Sequence, residues 1–564
     1  MKVVIIGGVA GGASAAARLR RLDESAEIIM LERGPYISYA NCGLPYYVGG
    51  EINQKEALTL QTPQSFHQRF GIDVRTEHEA VEINPEKKTV LIRELATGKD
   101  YEESYDKLIL SPGGEPARPP IPGIDSQNVF TLRTVPDSIR IREFIQQKRP
   151  RKAVIMGGGF IGLEMAENLM RAGVAVTVVE AMEHVMAALD YDMASEVQQY
   201  LRHQGVELVL SQRVTAITPQ ENGLLIALEN ETTLDADLLL LSAGIRPEST
   251  LAANAGLSVN KRGAIKTDSH MRTSNKDIYA VGDAVEITNL VTELPGYVPL
   301  AGPANKQGRI AADHINGLPA KYRGTQGSSV MKLFDMTVAS TGLNEAAAKA
   351  AGLEYDKIHI FSPSHATYYP GAANLTLKVL FELPTGRILG GQVIGFDGVD
   401  KRCDVLATAI RAEMTAYDLA ELELCYAPPY SSAKDPVNMA GFAIENILTK
   451  KVRQFHWNDI PRIVDDPNAI LLDVRTDMEW SNGSIPGAIH IPLDSLRDHL
   501  KELEQEKEIY VHCQSGLRSY LACRILTQNG FSCSNLSGGY RLYSLIRGNQ
   551  SYDQTPAHPC GLHI

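Results

Sequence analysis

Apolar residues in this chain gather in short unbroken runs and do not alternate with polar ones. Val3-Val4-Ile5-Ile6 is the first such run, and it ends in Gly7 and Gly8. An unbroken apolar run of strand length bounded by glycine marks a strand covered on both faces, as in a parallel sheet. Residues 2 to 6 therefore predict a buried strand, Gly7 to Gly12 a tight turn, Ala13 to Leu22 a helix, and Glu27 to Leu31 a second strand followed by Glu32. The pattern returns at Ala153-Val154-Ile155-Met156, with a turn from Gly157 to Gly162, a helix from Leu163, and a strand from Val176 that ends in Glu180.

A strand, a glycine turn, a helix and a second strand ended by an acid form a dinucleotide-binding unit. In the second copy all three glycines are in register. Gly157 makes the turn, Gly159 lets the backbone approach a pyrophosphate, and Gly162 lets the helix pack on the strand. The helix N-terminus favours the phosphate charge. Glu180 can accept from ribose hydroxyls and would repel a 2′-phosphate, and Ala181, Met182 and Glu183 supply no nearby cation. NADH is expected over NADPH. The first copy keeps Gly7 and Gly12 but has Val9 at the middle position, and its Glu32 lies 20 residues beyond Gly12.

Beyond residue 321 the nucleotide motifs stop. Strand-like Leu375 to Phe381 and helix-like Glu345 to Ala351 give an α+β pattern, and Lys450 to Asn458, polar and then aromatic, reads as a linker. A new α/β pattern starts at Ile470. Within it a short strand, Glu508 to His512, delivers Cys513 into the loop Gln514-Ser515-Gly516-Leu517-Arg518, ahead of a helix beginning near Ser519. Backbone N–H groups converging in such a loop lower a thiol pKa and can hold a persulfide anion.

At 564 residues with 44% hydrophobic and 22% charged positions, the chain is well cored and divides into three or four domains. A net charge of -12 argues against nucleic acid or an anionic membrane as main partner. Seven scattered cysteines do not make a secreted framework and fit a reducing cytoplasm. The N-terminal apolar run is broken by glycines and passes into Arg18, Arg20 and Arg21, unlike a signal peptide, and no apolar run is long enough to span a bilayer. No metal-ligand spacing stands out.

Cys42, in Ser38-Tyr39-Ala40-Asn41-Cys42-Gly43-Leu44-Pro45, has no second cysteine before Cys403. If the first glycine turn holds a flavin, a lone cysteine must cycle through a mixed disulfide, a persulfide or a sulfenic acid. Cys403, Cys425, Cys523, Cys533 and Cys560 have no comparable context and are expected to be structural.

These motifs, with the strand-turn segments Leu108 to Gly114 and Leu238 to Pro247 and the run Thr273 to Asp283, make residues 1 to 445 resemble the pyridine nucleotide-disulfide oxidoreductases. The single cysteine resembles the branch of coenzyme A-disulfide reductases, persulfide reductases, NADH oxidases and NADH peroxidases. Leu472-Asp473-Val474-Arg475, Gly483 to Pro492 and Val511 to Ser519 resemble a rhodanese domain.

The resemblance implies an α/β protein with two Rossmann-like domains, an α+β dimerisation domain and a C-terminal rhodanese-like α/β domain. The expected boundaries are 1–113 with 237–320 for FAD, 114–236 for NADH, 321–447 for dimerisation, 448–458 for the linker and 459–564 for the rhodanese-like domain. It implies FAD on the first turn, with Glu32, and with Asp283 at the ribityl chain, and NADH on the second. It implies a homodimer in which Tyr426 with Tyr368, or with Tyr369 instead, faces the partner's redox cysteine, although such tyrosines beside prolines also suit core or turn positions. Arg18 and Arg21, about one helical turn apart, would hold the phosphates of coenzyme A, with Ser38, Asn41 and Arg69 nearby; a solvated basic face is the other reading of that helix.

The oxidase and peroxidase members carry a histidine where this chain has Ala10. Gln514 replaces the more basic loop of many thiosulfate sulfurtransferases and leaves Arg518 as the loop's one cation. The expected activity is NADH-dependent reduction of coenzyme A persulfide, polysulfide or related persulfides at Cys42, with sulfur supplied through Cys513. The alternatives are coenzyme A-disulfide reduction as the main activity, or an NADH oxidase or peroxidase.

Overall fold

The computed structural model describes residues 1–548, so Cys560 lies outside the described residues. Two compact units are present, residues 1–183 with 205–327, and residues 184–204 with 328 onward.

In the first unit a five-stranded sheet runs in the order Ile278–Ala280, Lys107–Leu110, Lys2–Ile6, Glu27–Glu32, Asp73–Thr76, with all neighbours parallel. Its central strand is apolar because both faces are covered: Val3, Val4 and Ile5 have no exposed surface. A second parallel sheet runs Glu207–Leu210, Ala175–Glu180, Lys152–Met156, Leu238–Leu241, Val129–Thr131. Leu238–Leu241 thus belongs with the second sheet although 237 was expected to open the return to the first. The crossing comes at the antiparallel pair Gly114–Pro116 and Ile245–Pro247.

Both glycine turns have the same construction. Gly7 and Gly157 hold φ of +99° and +111°, and a Cβ at either would strike the carbonyl oxygen of Ser111 or Ser242. The helices begin earlier than predicted, at Ala10 and Phe160, because only the first glycine of each turn needs left-handed backbone.

The second unit holds an antiparallel sheet, Ser329–Leu333, Met336–Gly342, Ile388–Gly395, Asn374–Glu382, Tyr355–Pro363. Beside it a parallel sheet runs Arg453–Phe455, Cys533–Leu536, Glu508–His512, Ala469–Asp473, Ile489–His490. Arg453–Phe455 lies inside the stretch expected as a linker, and its pairing with Ser534 to Leu536 makes it an edge strand. The Tyr191–His203 helix, expected with the second nucleotide domain, packs in this unit against Ile388–Gly395 and Gly539–Arg547.

A buried polar cluster ties these pieces. The Lys378 ammonium, with no exposed surface, lies 3.0 Å from Asp190, 2.7 Å from Asp192 and 2.5 Å from Glu345. The three carboxylates could otherwise gather a metal ion, but the ammonium already sits among them. His359 Nε2 donates to Asp192 (3.0 Å), and its Nδ1 accepts from the Ser537 hydroxyl (3.0 Å), joining the antiparallel sheet to the segment that follows the Cys533–Leu536 strand of the parallel one.

Burial alone would raise the Asp192 pKa, but Lys378 and His359 outweigh it and hold the carboxyl well below its ordinary value. Burial lowers His359, and it pushes fully buried His512 down to about 4 from an ordinary 6.5. All three folded-state pKa values are depressed, so the unfolded chain binds more protons as pH falls. Stability of this unit is expected to be level above pH 7, to decline as pH falls below about 6.5 through the histidines, and to fall further in the carboxylate range. Thermal unfolding followed by circular dichroism from pH 9 to 4 checks this, and a midpoint unchanged between pH 7 and 5 contradicts it.

Candidate active site

Each dinucleotide turn is stapled by its own acid. Glu180 Oε2 accepts from the Gly158 N–H (2.7 Å) and Oε1 from the Met182 N–H (2.8 Å). Glu32 does the same in the first copy, accepting from Gly8 (3.0 Å) and Gly34 (2.8 Å). At Gly159 no atom lies within 4 Å of a Cβ position, so the backbone there is open to a ligand. At Gly12 and Gly162 a Cβ would strike the carbonyl of Gly7 or Gly157, which is why the helix can pack so closely. Asp283 follows the Ile278–Ala280 strand in a short turn, its carboxyl raised by burial with Arg133 opposing. Turns, acids and Asp283 fit two dinucleotides.

Cys42 sits in the turn Asn41–Gly43 ahead of the Leu44–Val48 helix, and its side chain reaches solvent. Even so, desolvation raises its thiol pKa, and the carboxyls of Glu164 and Asp283 push it the same way. A cavity of about 380 Å³ in the same unit is lined by Arg18, Arg21, Ser38, Phe66, Phe70 and Arg309, among others. The two phenyl rings stand 4.9 Å apart. Ser38 takes φ +45°, a strained backbone fixed by its N–H to Gly8 (2.8 Å) and by Leu60 N–H to its carbonyl (3.0 Å). Of the predicted phosphate ligands, Arg18 and Arg21 line the cavity, with Arg18 Nε also held by Asp313 at 2.6 Å. Asn41 and Arg69 are exposed and are not among its described lining residues. Arg309, Phe66 and Phe70 were not foreseen.

The hydroxyls of Tyr368 and Tyr426 meet at 2.8 Å; Tyr369, exposed like both of them, packs edge-on against His365. Their loops are clamped by Arg402, which is 1% exposed: it donates to Asp435 (2.9 Å) and to the Ser364 carbonyl (2.8 Å). Ser431 Oγ donates to the same carboxylate at 2.6 Å. Cys425, expected to be structural, is exposed beside Tyr426.

Cys513 is fully buried at the end of its strand. Its Sγ accepts from the Gly516 N–H (3.1 Å) and the Ser519 hydroxyl (3.3 Å). The following helix starts at Leu517, two residues before the predicted Ser519. Beneath the loop, Tyr540 N–H donates to the Cys513 carbonyl (2.7 Å) and Arg541 N–H to that of Gln514 (2.9 Å). A Cβ at Gly539 would lie 2.6 Å from the Cys513 carbonyl oxygen, so that position is closed to side chains. Arg518, the loop's cation, is paired bidentately with Glu479 at 2.7 and 2.6 Å. That pairing offsets its charge. The acid was not foreseen; its sign in the sequence was a Thr476-to-Glu479 capping box.

Comparisons with known proteins agree with these parts. Residues 1–308 match the pyridine nucleotide-disulphide oxidoreductase model, 328–436 its dimerisation domain and 458–545 the rhodanese-like domain. The coenzyme A disulfide reductase of Staphylococcus haemolyticus is 35% identical over 447 residues, covering 79% of this chain and all of that protein. The crystal structure of reduced Bacillus anthracis CoADR-RHD superposes with a TM-score of 0.95 at 49% identity, covering 97% of this chain and 98% of that one. The NAD-dependent persulfide reductase from A. fulgidus follows at 0.90 and 41%, covering 96% and 100%. The water-forming NADH oxidase of Lactobacillus brevis reaches 0.77 and 31%, covering 80% and 99%. With two glycine turns of one construction, matches to all three family models and a relative 35% identical over 79% of its length, the chain belongs to the pyridine nucleotide-disulphide oxidoreductase family and carries both the dimerisation and the rhodanese-like domains.

Proposed function

We propose that this protein uses NADH to reduce persulfide sulfur, with coenzyme A persulfide, polysulfide or related small persulfides as substrates and coenzyme A disulfide as a further one. The observation that carries this reading is the presence, with a lone cysteine, of a cationic, aromatic-walled cavity whose lining includes Ser38, four residues before Cys42. Three arginines suit the phosphates of coenzyme A, and the two phenyl rings suit its adenine.

Bound FAD and NADH supply the electron pair. Gly7, Gly12, Glu32 and Asp283 hold the first, and Gly157, Gly159, Gly162 and Glu180 hold the second. Cys42 Sγ attacks the sulfane sulfur or the disulfide, and the Tyr368–Tyr426 pair protonates the sulfur that leaves. Cys513 takes sulfur as a persulfide, which the Gly516 N–H and the Ser519 hydroxyl stabilise, and the coenzyme A thiol carries it onward. The fusion raises the effective concentration of the carrier. Ala10 supplies no proton-transferring base, which disfavours oxidase or peroxidase chemistry.

Cys42→Ser is expected to abolish reduction of persulfide and disulfide while FAD stays bound, as turnover and flavin absorbance will show; retained turnover contradicts the role. Cys513→Ser is expected to slow reduction of polymeric sulfur and to spare preformed coenzyme A persulfide, and equal loss on both donors argues against sulfur delivery. Arg21→Ala with Arg309→Ala is expected to raise KM for coenzyme A substrates at least tenfold, from about 1.5–3 kcal/mol for each hydrogen bond to a charged group, with little change for inorganic polysulfide. Glu180→Ala is expected to narrow the preference for NADH over NADPH, read as the ratio of the two kcat/KM values.

A further inference from the structure

The hydroxyl of Ser519 has two acceptors and one proton. It lies 3.3 Å from the Cys513 sulfur and 3.1 Å from the Gly516 carbonyl oxygen, so it can donate to either but not to both at once. Ser519 has no exposed surface, so bulk water offers no third partner. In a helix a serine hydroxyl readily turns back to the carbonyl three or four residues earlier, and for Ser519, on the Leu517–Gln528 helix, that carbonyl is Gly516. Left to that habit, the proton is lost to the sulfur.

Two other donors already hold the carbonyl. Tyr520 N–H donates to it at 3.0 Å and Asn535 Nδ2 at 3.2 Å. A carbonyl oxygen has two lone pairs, and these two bonds fill them. Asn535 comes from the Cys533–Leu536 strand, which runs parallel to Glu508–His512 with Asn535 opposite Val511, so the sheet itself delivers the amide to the loop that follows. A carbonyl only accepts, which makes the amide present its nitrogen there. Its buried Oδ1 meets no donor among the described residues, so the Gly516 carbonyl is what fixes the way the amide faces. Gly516 holds φ +109°, a backbone that favours glycine, and its own N–H reaches the sulfur at 3.1 Å.

We propose that Asn535 is a positioning residue for sulfur storage: by filling the Gly516 carbonyl it turns the single Ser519 proton to the sulfur of Cys513. This rests on the reading of Cys513 as the sulfur-holding cysteine. A sulfur anion in the loop then has two donors, the Gly516 N–H and the Ser519 hydroxyl, where it would otherwise have one. The charged groups around the sulfur play no part in the difference. Arg518 is paired with Glu479, Arg475 with Asp473, and His512, lowered by burial to about 4, stays neutral above pH 5.5.

The test is the pH midpoint at which methyl methanethiosulfonate, a small thiolate reagent, modifies Cys513 in the full-length FAD-loaded protein between pH 5.5 and 10. Peptide mass spectrometry resolves the site, with exposed Cys425 as internal reference. Asn535→Ala is expected to move the midpoint up by about one unit, the low end of what a hydrogen bond to a charged group is worth. Ser519→Ala is expected to move it equally, and the double variant no further than either single one, because Asn535 acts through Ser519. Asn535→Asp keeps the size of the side chain and loses the donor; it is expected to move the midpoint at least as far, and it serves if the alanine variant folds poorly. An unmoved midpoint in a folded Asn535 variant overturns the proposal, and so do shifts that add in the double variant. An unmoved midpoint in Ser519→Ala overturns it without any change at Asn535. The midpoint reads charge on the sulfur without sulfur transfer, so these failures are distinct from a Cys513→Ser protein that reduces polymeric sulfur unimpaired, which sinks the underlying reading.

Discussion

The second unit depends on one buried ammonium. Lys378 is fully removed from water, and a lysine in that position is tolerable only if carboxylates replace its hydration. Asp190, Asp192 and Glu345 do so from the segment preceding the Tyr191–His203 helix, from that helix and from the Glu345–Ala350 helix. Each carboxylate is as dependent on the ammonium as the ammonium is on them, so two chain segments distant in sequence, 190–192 and the start of the Glu345–Ala350 helix, are fixed by one group. His359 extends the arrangement through Asp192 to Ser537. The rhodanese-like fold is thereby held by polar contacts with a defined geometry as well as by apolar packing.

The two sulfur centres sit in opposite electrostatic settings. Cys513 is cupped by donors, an amide and a hydroxyl, with the nearest cation offset by Glu479. Cys42 reaches solvent, yet desolvation of its sulfur, reinforced by the charges of Glu164 and Asp283, raises its thiol pKa. A sulfur cupped by donors suits storage of an anion, which is the part the proposed cycle gives to Cys513.

Much of this was legible in the chain. The parallel sheets announced themselves through unbroken apolar runs, because strands such as Lys2–Ile6 and Lys152–Met156 are covered on both faces, and the glycine turns followed from spacing. The edge strand Arg453–Phe455 did not, since an edge carries polar residues and Arg453 reaches Glu508 and Ser532 from it. Sites assembled from distant segments were only partly visible. Arg18 and Arg21 share a helix and could be noticed together, but Arg309 and the Phe66–Phe70 pair join them only in three dimensions. Arg402 clamps Asp435 across 33 residues with nothing in either local sequence to mark it.

The staples on the glycine turns have a consequence for how such proteins diverge. Glu180 fixes the loop through two amides, and Glu32 is built alike. In the proposed reading the same Glu180 carboxylate also accepts from a ribose, so that selectivity for the nucleotide and the shape of the loop that grips it are encoded in one side chain. A lineage drifting toward a phosphorylated coenzyme cannot trade that acid away freely, because the loop loses its brace in the same step. Such a shift needs compensating changes in the turn, in an order that keeps it folded, and this narrows the paths open to selection.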